Sequence, residues 1–294
     1  MSTATGDPAL APRLPDALRL GPVHLMVSHL DGSIAFYERS LGLRLHGRDG
    51  AVARVGAGGE DLLVLVEHPG AGPGGRHAGL YHFALLFPSR PELARAVRRL
   101  ATAQVRIEGA SDHGVSEAIY LRDPDDNGIE LYADRPRAEW PPPRHPDERV
   151  EMYTIALDMK DLMREAEGEE PREHAPPGLV MGHVHLHVGD VERALAFYRD
   201  VLGFEVMANL GSAAFVSAGG YHHHLGFNVW LGRAVEPLPP NTAGLREWTV
   251  VLDSRDEVEA VRARIAAAGL EADDRDGGFL VRDPWRTAVA FTTG

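Results

Sequence analysis

Three polar side chains interrupt strand-like apolar segments in the first half of the chain. His24 stands in "VHLMV", His82 in "YHFAL" and Glu130 in "GIELYA". Burying an imidazole or a carboxylate in such a segment costs free energy unless the group is paired or bound. Two histidines and one carboxylate are also the ligand set of the facial triad that holds non-haem Fe(II) and leaves coordination positions open. The three residues therefore predict a metal site for Fe(II) or Mn(II), with ordinary hydrogen-bonded strand histidines as the alternative.

The elements that carry these residues belong to an internal repeat. The segment "VHLMVSHLDGSIAFYERSLGLRL" begins at Val23, and "VHLHVGDVERALAFYRDVLGFEV" begins at Val184. Each copy reads as a strand, an amphipathic helix that ends at a glycine C-cap, and a further strand. A second strand–helix–strand unit follows each copy. The chain is therefore predicted to contain four βαβββ modules in two pairs, near residues 20–70, 79–134, 180–232 and 244–294.

The predicted domains follow these pairs. An N-terminal domain, 1–134, would contain modules one and two and the metal site, and a C-terminal domain, 178–294, would contain modules three and four. Between them lies a predicted linker, 135–177, whose ends are rich in proline and charge. Its middle, "TIALDMKDLMREA", has apolar residues at helical spacing and predicts a short surface helix.

Several motifs resemble those of the vicinal oxygen chelate superfamily, which includes extradiol dioxygenases, glyoxalase I and antibiotic-resistance proteins. They are the repeated βαβββ plan, the "AFYxxxLG" helix ends and the "DPDxNGIE" ending. From about residue 20 to its end, the chain most resembles the two-domain catechol 2,3-dioxygenase-like proteins. The resemblance implies an α+β fold in which paired modules form two open, half-closed barrels. It also implies that His24, His82 and Glu130 hold one metal in the first barrel.

The same resemblance implies two further active-site residues. Extradiol enzymes have a tyrosine ten residues before the ligand glutamate, which matches Tyr120. They also have a histidine shortly before that tyrosine, and His113 in "SDHGVSEAIY" matches it, although the segment is shorter here by two residues. Tyr120 would bind a substrate oxygen, and His113 would stabilise an oxygen-derived anion or exchange a proton. The alternatives are an ordinary strand tyrosine and a solvent-exposed loop histidine.

One residue of the extradiol pattern is missing where it is expected. Many extradiol enzymes carry an acid–base histidine at the start of the last strand of the first module. In "AGGEDLLVLVEHPG" this neighbourhood contains Glu60 and Asp61, and His68 lies at the far end of the strand. Either another residue exchanges the proton, or the reaction differs from ring cleavage.

The second half departs further from the ligand pattern. The residues that correspond to the three predicted ligands are His185, Glu247 and Ala290. A second metal site could still combine His185 and Glu247 with His222 or His224 of "GGYHHHLGFNVW". The favoured interpretation is a barrel without a metal, whose histidines pack at the domain interface or cover the active site.

The expected function is the cleavage of a catechol-like aromatic ring by O2 at Fe(II). The partners would then be a small aromatic substrate and O2, and the superfamily leaves room for a homo-oligomer. One alternative is a glyoxalase-like isomerase or thiol transferase that uses Ni(II), Zn(II) or Mn(II). A second alternative is a protein that only binds a small molecule, because one fold hosts many functions.

Charge and composition narrow the class of partner. The net charge of −13 disfavours nucleic acid and anionic membranes, because phosphate binding needs a basic surface. The absence of cysteine excludes disulfides, thiolate metal sites and a cysteine nucleophile, and it fits a reducing compartment. No apolar run approaches the roughly 18 residues of a spanning helix, and the first twenty residues lack a secretory signal pattern. We therefore expect a cytoplasmic protein.

Overall fold

The first two modules have the predicted order of elements in a computed structural model, which describes residues 13–145 and 148–294. Module one comprises β1 (Arg19–Val27), α1 (Leu30–Phe36, continued by a π-helical turn Tyr37–Leu41), β2 (Arg44–Asp49), β3 (Val52–Gly56) and β4 (Asp61–Glu67). Module two comprises β5 (Gly79–Leu86), α2 (Arg90–Thr102), β6 (Gly109–Asp112), β7 (Ser116–Arg122) and β8 (Gly128–Asp134).

The second half repeats this order after a connecting segment. The connection contains a 3-10 turn (Arg137–Glu139), β9 (Ile155–Ala156) and α3 (Met159–Arg164). Module three comprises β10 (Val180–His187), α4 (Val191–Leu195, continued by a π-helical turn Ala196–Leu202), β11 (Glu205–Asn209), β12 (Ala213–Ser217) and β13 (Leu225–Asn228). Module four comprises β14 (Gly244–Leu252), α5 (Arg255–Ala267), β15 (Ala272–Arg275), β16 (Gly278–Arg282) and β17 (Ala288–Thr293). The predicted α+β class with four βαβββ modules is confirmed.

Local sequence signals explain how the helices end and which faces of the strands are buried. The helices of modules one and three end at Gly42 and Gly203, whose φ angles of 69° and 96° favour glycine because it has no Cβ. In β1, Val23 and Leu25 are completely buried against the helical layer. Since side chains alternate along a strand, His24 points to the opposite, concave face. Each module thus presents its polar strand residues to the inside of a curved sheet.

Each sheet combines one module from each half of the chain. The eight-stranded sheet has the order β15-β16-β17-β14-β1-β4-β3-β2, and the nine-stranded sheet has the order β11-β12-β13-β10-β5-β8-β7-β6-β9. Module one therefore shares a sheet with module four, and module two shares a sheet with module three. This corrects the prediction that modules one and two form one barrel and modules three and four the other.

The physical reason lies in the edge strands of the modules. The first strand of every module lies at the edge of that module's own four strands, so its backbone groups need an external partner. β1 pairs with β14, and β5 pairs with β10, both antiparallel. Modules one and two contact each other through their helices instead, and the Tyr37 hydroxyl donates a 2.7 Å hydrogen bond to Asp123.

The predicted linker packs on module two. α3 is the predicted helix, and β9 pairs with β6. Arg90 of α2 forms ion pairs with Asp161 and Glu165. Residues 1–12 of the predicted first domain, and 146–147 of the predicted linker, lie outside the described residues. The bounds 1–134, 135–177 and 178–294 stay a prediction.

One further finding concerns membranes. Among the described residues, no helix is both long enough and apolar enough to cross a bilayer.

Candidate metal centre

Three buried side chains from three adjacent strands meet on the concave face of the nine-stranded sheet. They are His82 of β5, Glu130 of β8 and His183 of β10, and one ligand atom of each lies within 4.8 Å of the others. Glu130 Oε2 is 3.0 Å from His82 Nε2 and 3.2 Å from His183 Nε2. None of the three is more than 5% exposed. We call this group the His82–Glu130–His183 cluster.

The register of the strands brings the cluster together. β5 lies between β10 and β8, and Ala84 of β5 is directly opposite both His183 and Glu130. Because directly opposite residues face the same side of a sheet, the small Ala84 side chain leaves space for both neighbours. His82 stands two residues before Ala84 and therefore shares its face.

Burial and hydrogen bonding set the charge state of the cluster. Burial alone would raise the pKa of Glu130, but the facing imidazoles of His183 and His82 hold it well below its usual range. Burial lowers the pKa of His183 to about 4, although Glu130 opposes this effect. At pH 7 the carboxylate is therefore ionised and the His183 imidazole is neutral, which are the forms that bind metals.

The unsatisfied nitrogens of the cluster fit a metal ion. His82 Nε2 is buried and, despite its short distance to Glu130, has no partner with hydrogen-bond geometry. His185, by contrast, packs on His82 with 5.0 Å between ring centroids and is satisfied, since Asn228 Nδ2 lies 2.9 Å from its Nε2. A buried polar atom without a partner calls for an explanation. Two imidazoles and one carboxylate together form a donor set for a divalent transition metal, and such a metal would give the buried His82 Nε2 its missing partner.

The structure separates His24 from the other two predicted ligands. His24 lies on β1 in the eight-stranded sheet, opposite Glu247, and its Nδ1 is 3.6 Å from that carboxylate. The structure therefore does not bring the predicted set of His24, His82 and Glu130 together; His183, rather than His24, lies with His82 and Glu130. The reason is the module pairing, since module three rather than module one lies beside module two.

His183 was missed because the repeat aligns His185, not His183, with the opening-strand histidine of module one. The signal was nevertheless present in "HVHLH", residues 183–187. Alternation along β10 puts the three histidines of this segment on one face of the strand. A strand with three histidines on one face predicts a polar cavity more strongly than a single histidine does.

Tyr120 and His113 lie together beside the cluster. Tyr120 on β7 is directly opposite Glu130, and its hydroxyl is 2.8 Å from His113 Nε2. Burial, followed by the charge of Glu130, raises the pKa of Tyr120 well above its usual value. His113 Nδ1 is 2.9 Å from the Tyr153 carbonyl, which can only accept, so this nitrogen carries a proton. In the neutral ring, His113 Nε2 then accepts the hydrogen bond from the Tyr120 hydroxyl.

A second hydrogen-bonded chain reaches the cluster from the opposite side. Asp134 Oδ1 accepts from His222 Nε2 at 2.9 Å, and His222 Nδ1 is 2.9 Å from His223 Nδ1. The His223 ring packs on His183, with 4.1 Å between ring centroids. Because Asp134 can only accept, a neutral His222 accepts at Nδ1 and His223 donates from Nδ1. This leaves His223 Nε2 as the unprotonated nitrogen.

The alternative second metal site does not form. His185 lies in the nine-stranded sheet, whereas Glu247 lies in the eight-stranded sheet. His222 bonds to Asp134 and His223, while His224 Nδ1 accepts from the Ala218 amide and lies 2.9 Å from Ser217 Oγ. These side chains are hydrogen-bonded within module three or to module two.

The segment in which the extradiol pattern places an acid–base histidine lies in the eight-stranded sheet. Glu60 forms an ion pair with Arg19, and Asp61 lies 2.8 Å from His46 Nδ1. His68 directly follows β4, in module one. None of the three belongs to the sheet that holds the cluster, so they do not supply the missing group.

Aromatic side chains line one side of the cluster. The Tyr81 ring packs at 4.8 Å from the His82 ring and at 5.5 Å from the Trp230 ring, and Trp230 is 54% exposed. Tyr81 is the extra residue of a β-bulge between β5 and β10, which turns it to the face of His82. A cavity of about 240 Å³ is lined by Tyr81 and His187, but by none of the three cluster residues. We call this cavity the Tyr81 cavity.

Comparison with known proteins gives a consistent family. The family model described as the Glyoxalase/Bleomycin resistance protein/Dioxygenase superfamily matches residues 19–131 and 180–291. A Bacillus subtilis protein named catechol-2,3-dioxygenase is 44% identical over 270 residues, which cover 90% of this chain and 93% of the relative.

Two solved structures illustrate the shared fold. A Bacillus subtilis protein provisionally described as a dioxygenase has a TM-score of 0.64 at 13% identity, with 96% of this chain and 86% of that chain covered. Glyoxalase I from Zea mays has a TM-score of 0.58 at 17% identity, with 94% and 92% covered.

Proposed function

The chain belongs to the Glyoxalase/Bleomycin resistance protein/Dioxygenase superfamily, and from this premise we propose that it is a metal-dependent extradiol-type dioxygenase. It would use O2 to cleave the ring of a catechol-like aromatic diol beside the two hydroxyl groups. The relative named catechol-2,3-dioxygenase supports this choice of reaction. The observation that carries it is the His82–Glu130–His183 cluster, because a facial triad leaves positions open for a diol and O2.

Fe(II) is the metal that we propose for this cluster, held by the two Nε2 atoms and the Glu130 carboxylate. When bound, it would supply a template for the diol and O2 and a path for electrons between them. The protein contributes a carboxylate that is already ionised and a neutral His183 imidazole, so no ligand has to lose a proton first.

Tyr120 and His113 would handle a proton of the substrate. The Tyr120 oxygen faces Glu130, and its hydroxyl shares a hydrogen bond with His113 Nε2. While the hydroxyl donates to His113, the Tyr120 oxygen can accept from a substrate hydroxyl. If His113 gains a proton, Tyr120 can donate to a substrate oxygen instead. The pair can therefore follow a change of charge on the substrate without a side-chain movement.

His223 is our candidate for the acid–base histidine that module one lacks. Its ring packs on His183, and its Nδ1 is engaged by His222, which leaves Nε2 to take up a proton. It precedes the last strand of module three, and module three completes the cluster in this chain. Asp134 and His222 would act as positioning residues that hold His223 in this tautomer.

Tyr81 and Trp230 would contact the aromatic ring of the substrate. Tyr81 packs on His82 and His185, and Trp230 packs on His185 and is largely exposed although it is a large apolar side chain. Aromatic rings favour stacked or edge-to-face packing against each other. This wall suits a flat aromatic diol better than an aliphatic substrate.

The direct test uses iron-loaded protein prepared without oxygen. We expect that catechol added to this protein, followed by O2, is consumed with one equivalent of O2 and gives a ring-opened product. Turnover should also stop when the iron is oxidised by air. Iron-loaded protein that consumes neither catechol nor a substituted catechol would contradict the proposal, and so would activity that depends on bound Zn(II) or Ni(II).

A variant separates catalysis from simple binding. We expect Glu130→Ala to lose both iron and turnover, because removal of one ligand from a three-ligand site leaves too few donors. A protein that only sequesters a small molecule would instead keep its affinity for catechol in this variant. Equilibrium binding of catechol under nitrogen, together with the iron content, distinguishes the two.

A further inference from the structure

Four arginines line one cavity in the eight-stranded sheet. The cavity has a volume of about 530 Å³ and is lined by Arg246, Arg275, Arg282 and Arg286. We call it the arginine pocket. Its volume is within the range of small-molecule sites. The chain as a whole carries a net charge of −13, so this concentration of cations stands out against the composition of the protein.

The arginine pocket occupies the position in the second copy of the internal repeat that the Tyr81 cavity occupies in the first copy. The turn at Asp123 recurs at Asp283, since each carboxylate accepts from the backbone amides two and four residues later. Within these turns, Asp126 and Arg286 occupy the same position, and both have a φ of 68°. One copy of the duplicated turn thus presents an acid to its cavity, and the other presents a cation.

A second position shows the same replacement. Tyr81 is the extra residue of the bulge in β5, and Arg246 is the extra residue of the corresponding bulge in β14. A bulge turns its extra residue toward the side of its neighbour, so both reach their cavities. The catalytic carboxylate of the first copy, Glu130, is Ala290 in the second. The arginine pocket has therefore lost the metal-binding carboxylate and gained cations.

Among the described residues, two of the four arginines of the pocket are paired with a carboxylate and two are not. Arg275 faces Glu247, which also lines the pocket, and Arg282 faces Asp273, each at 3.5 Å. Among residues 13–145 and 148–294, neither Arg246 nor Arg286 has a carboxylate within 4.0 Å.

Arg246 also has an unused donor. Its Nη2 donates to the Thr242 carbonyl, but its Nε is buried and has no partner among the described residues. Two guanidinium groups therefore retain charge and hydrogen-bonding capacity for a ligand.

We propose that the arginine pocket binds a small organic anion through its carboxylate or phosphate oxygens. Guanidinium groups recognise both kinds of oxyanion with paired hydrogen bonds. Leu238, Leu245 and Leu280 supply an apolar wall for the rest of such a molecule. The site is separate from the His82–Glu130–His183 cluster, and the proposal does not depend on the reaction at that cluster.

Calorimetric titration of the full-length protein tests the proposal. The probes are succinate, for a carboxylate ligand, and inorganic phosphate, with sodium chloride at the same ionic strength as a reference. We expect saturable binding of one molecule of at least one probe per chain, and the probe that saturates identifies the oxyanion. If neither probe saturates beyond the sodium chloride reference, the proposal is wrong.

The charge-reversing variant Arg286→Asp locates the site. Asp126 has the same backbone conformation in the duplicated turn, so the variant should fold normally. We expect it to weaken binding about 10-fold or more, since charged hydrogen bonds are lost.

Arg106→Asp is the matched control, because Arg106 is exposed and lies outside the pocket. If Arg286→Asp and Arg106→Asp bind equally well, the site is not the arginine pocket. Arg282→Gln provides a second, milder loss, with an expected effect in the same direction.

Discussion

At the scale of single residues, we propose a distinct task for each polar group near the cluster. His82, Glu130 and His183 provide three donor atoms within 4.8 Å of one another. Tyr120 lies opposite Glu130 but contributes no atom to that group, and its hydroxyl is engaged by His113. Variants should therefore separate loss of metal from loss of proton handling.

Tyr120→Phe removes one hydroxyl without changing the shape of the side chain. We expect kcat for catechol to fall roughly 100-fold, which is the lower range for a general acid–base group, while the iron content stays unchanged. Steady-state kinetics and metal analysis on the same preparation check this. Tyr153→Phe is the control, since Tyr153 contacts His113 through its backbone carbonyl. Equal activity of the two variants would exclude the proposed role of Tyr120.

Asp134→Ala removes the acceptor that orders His222 and His223. We expect kcat to fall roughly 10-fold, with little change in KM, because His223 loses its preferred tautomer but Tyr81 and Trp230 stay in place. Asp134→Asn should restore most of the activity, since its amide oxygen can still accept from His222 Nε2. A change in KM without a change in kcat for Asp134→Ala, or no recovery of activity in Asp134→Asn, would contradict the positioning role.

At the scale of elements, the duplicated turns fasten the modules to each other. The Tyr37 hydroxyl of module one donates to Asp123 of module two, and the Tyr198 hydroxyl of module three donates to Asp283 of module four. Both carboxylates are buried and also accept backbone amides. These contacts hold neighbouring modules together although their strands belong to different sheets.

The turn at Asp283 predicts a specific pH dependence of stability. Burial raises the pKa of Asp283 to about 6, against hydrogen bonds that act in the opposite direction. The folded protein then binds more protons here than the unfolded chain does between about pH 4 and 6, so stability falls as the pH rises through this range. Relative to Asp283→Asn, the wild type should lose about 2 kcal/mol of unfolding free energy from pH 4 to 7. Urea unfolding of both proteins measures the difference, and a wild type that gains stability relative to Asp283→Asn over this range would refute the assignment.

At the scale of the whole molecule, the candidate site depends on contact between the two halves of the chain. β5 and β8 come from module two, and β10 comes from module three. The first half contributes His82 and Glu130, and the second contributes His183. Neither half alone contains the three donors.

Co-expression of the halves tests this dependence. We expect fragments 1–177 and 178–294 to copurify and to bind iron together, because β5 and β10 pair along most of their length. Neither fragment should bind iron by itself, and a fragment 178–294 with His183→Ala should pair without restoring the metal. Stoichiometric iron in fragment 1–177 alone would support the original prediction of a site within the first half.

The contact between the two halves of the chain also explains why the sequence alone did not predict the whole candidate site. Strand and helix periodicity, the glycine C-caps at Gly42 and Gly203 and the repeat itself are local, so the four modules could be predicted. The choice of partner for each edge strand is not local, because β1 and β10 both have an open edge and similar sequences, so β5 could pair with either. The prediction therefore included His82 and Glu130, which share a module and lie together in the structure, and named His24 where the structure places His183.

The most direct test of the candidate site compares two histidine variants, His183→Ala and His24→Ala. Both remove an imidazole from the opening strand of a module, but only His183 lies with His82 and Glu130. Metal analysis after anaerobic reconstitution with Fe(II) should find His183→Ala nearly free of iron and His24→Ala close to the wild-type content. Iron retained by His183→Ala and lost by His24→Ala would contradict the His82–Glu130–His183 cluster as the metal centre.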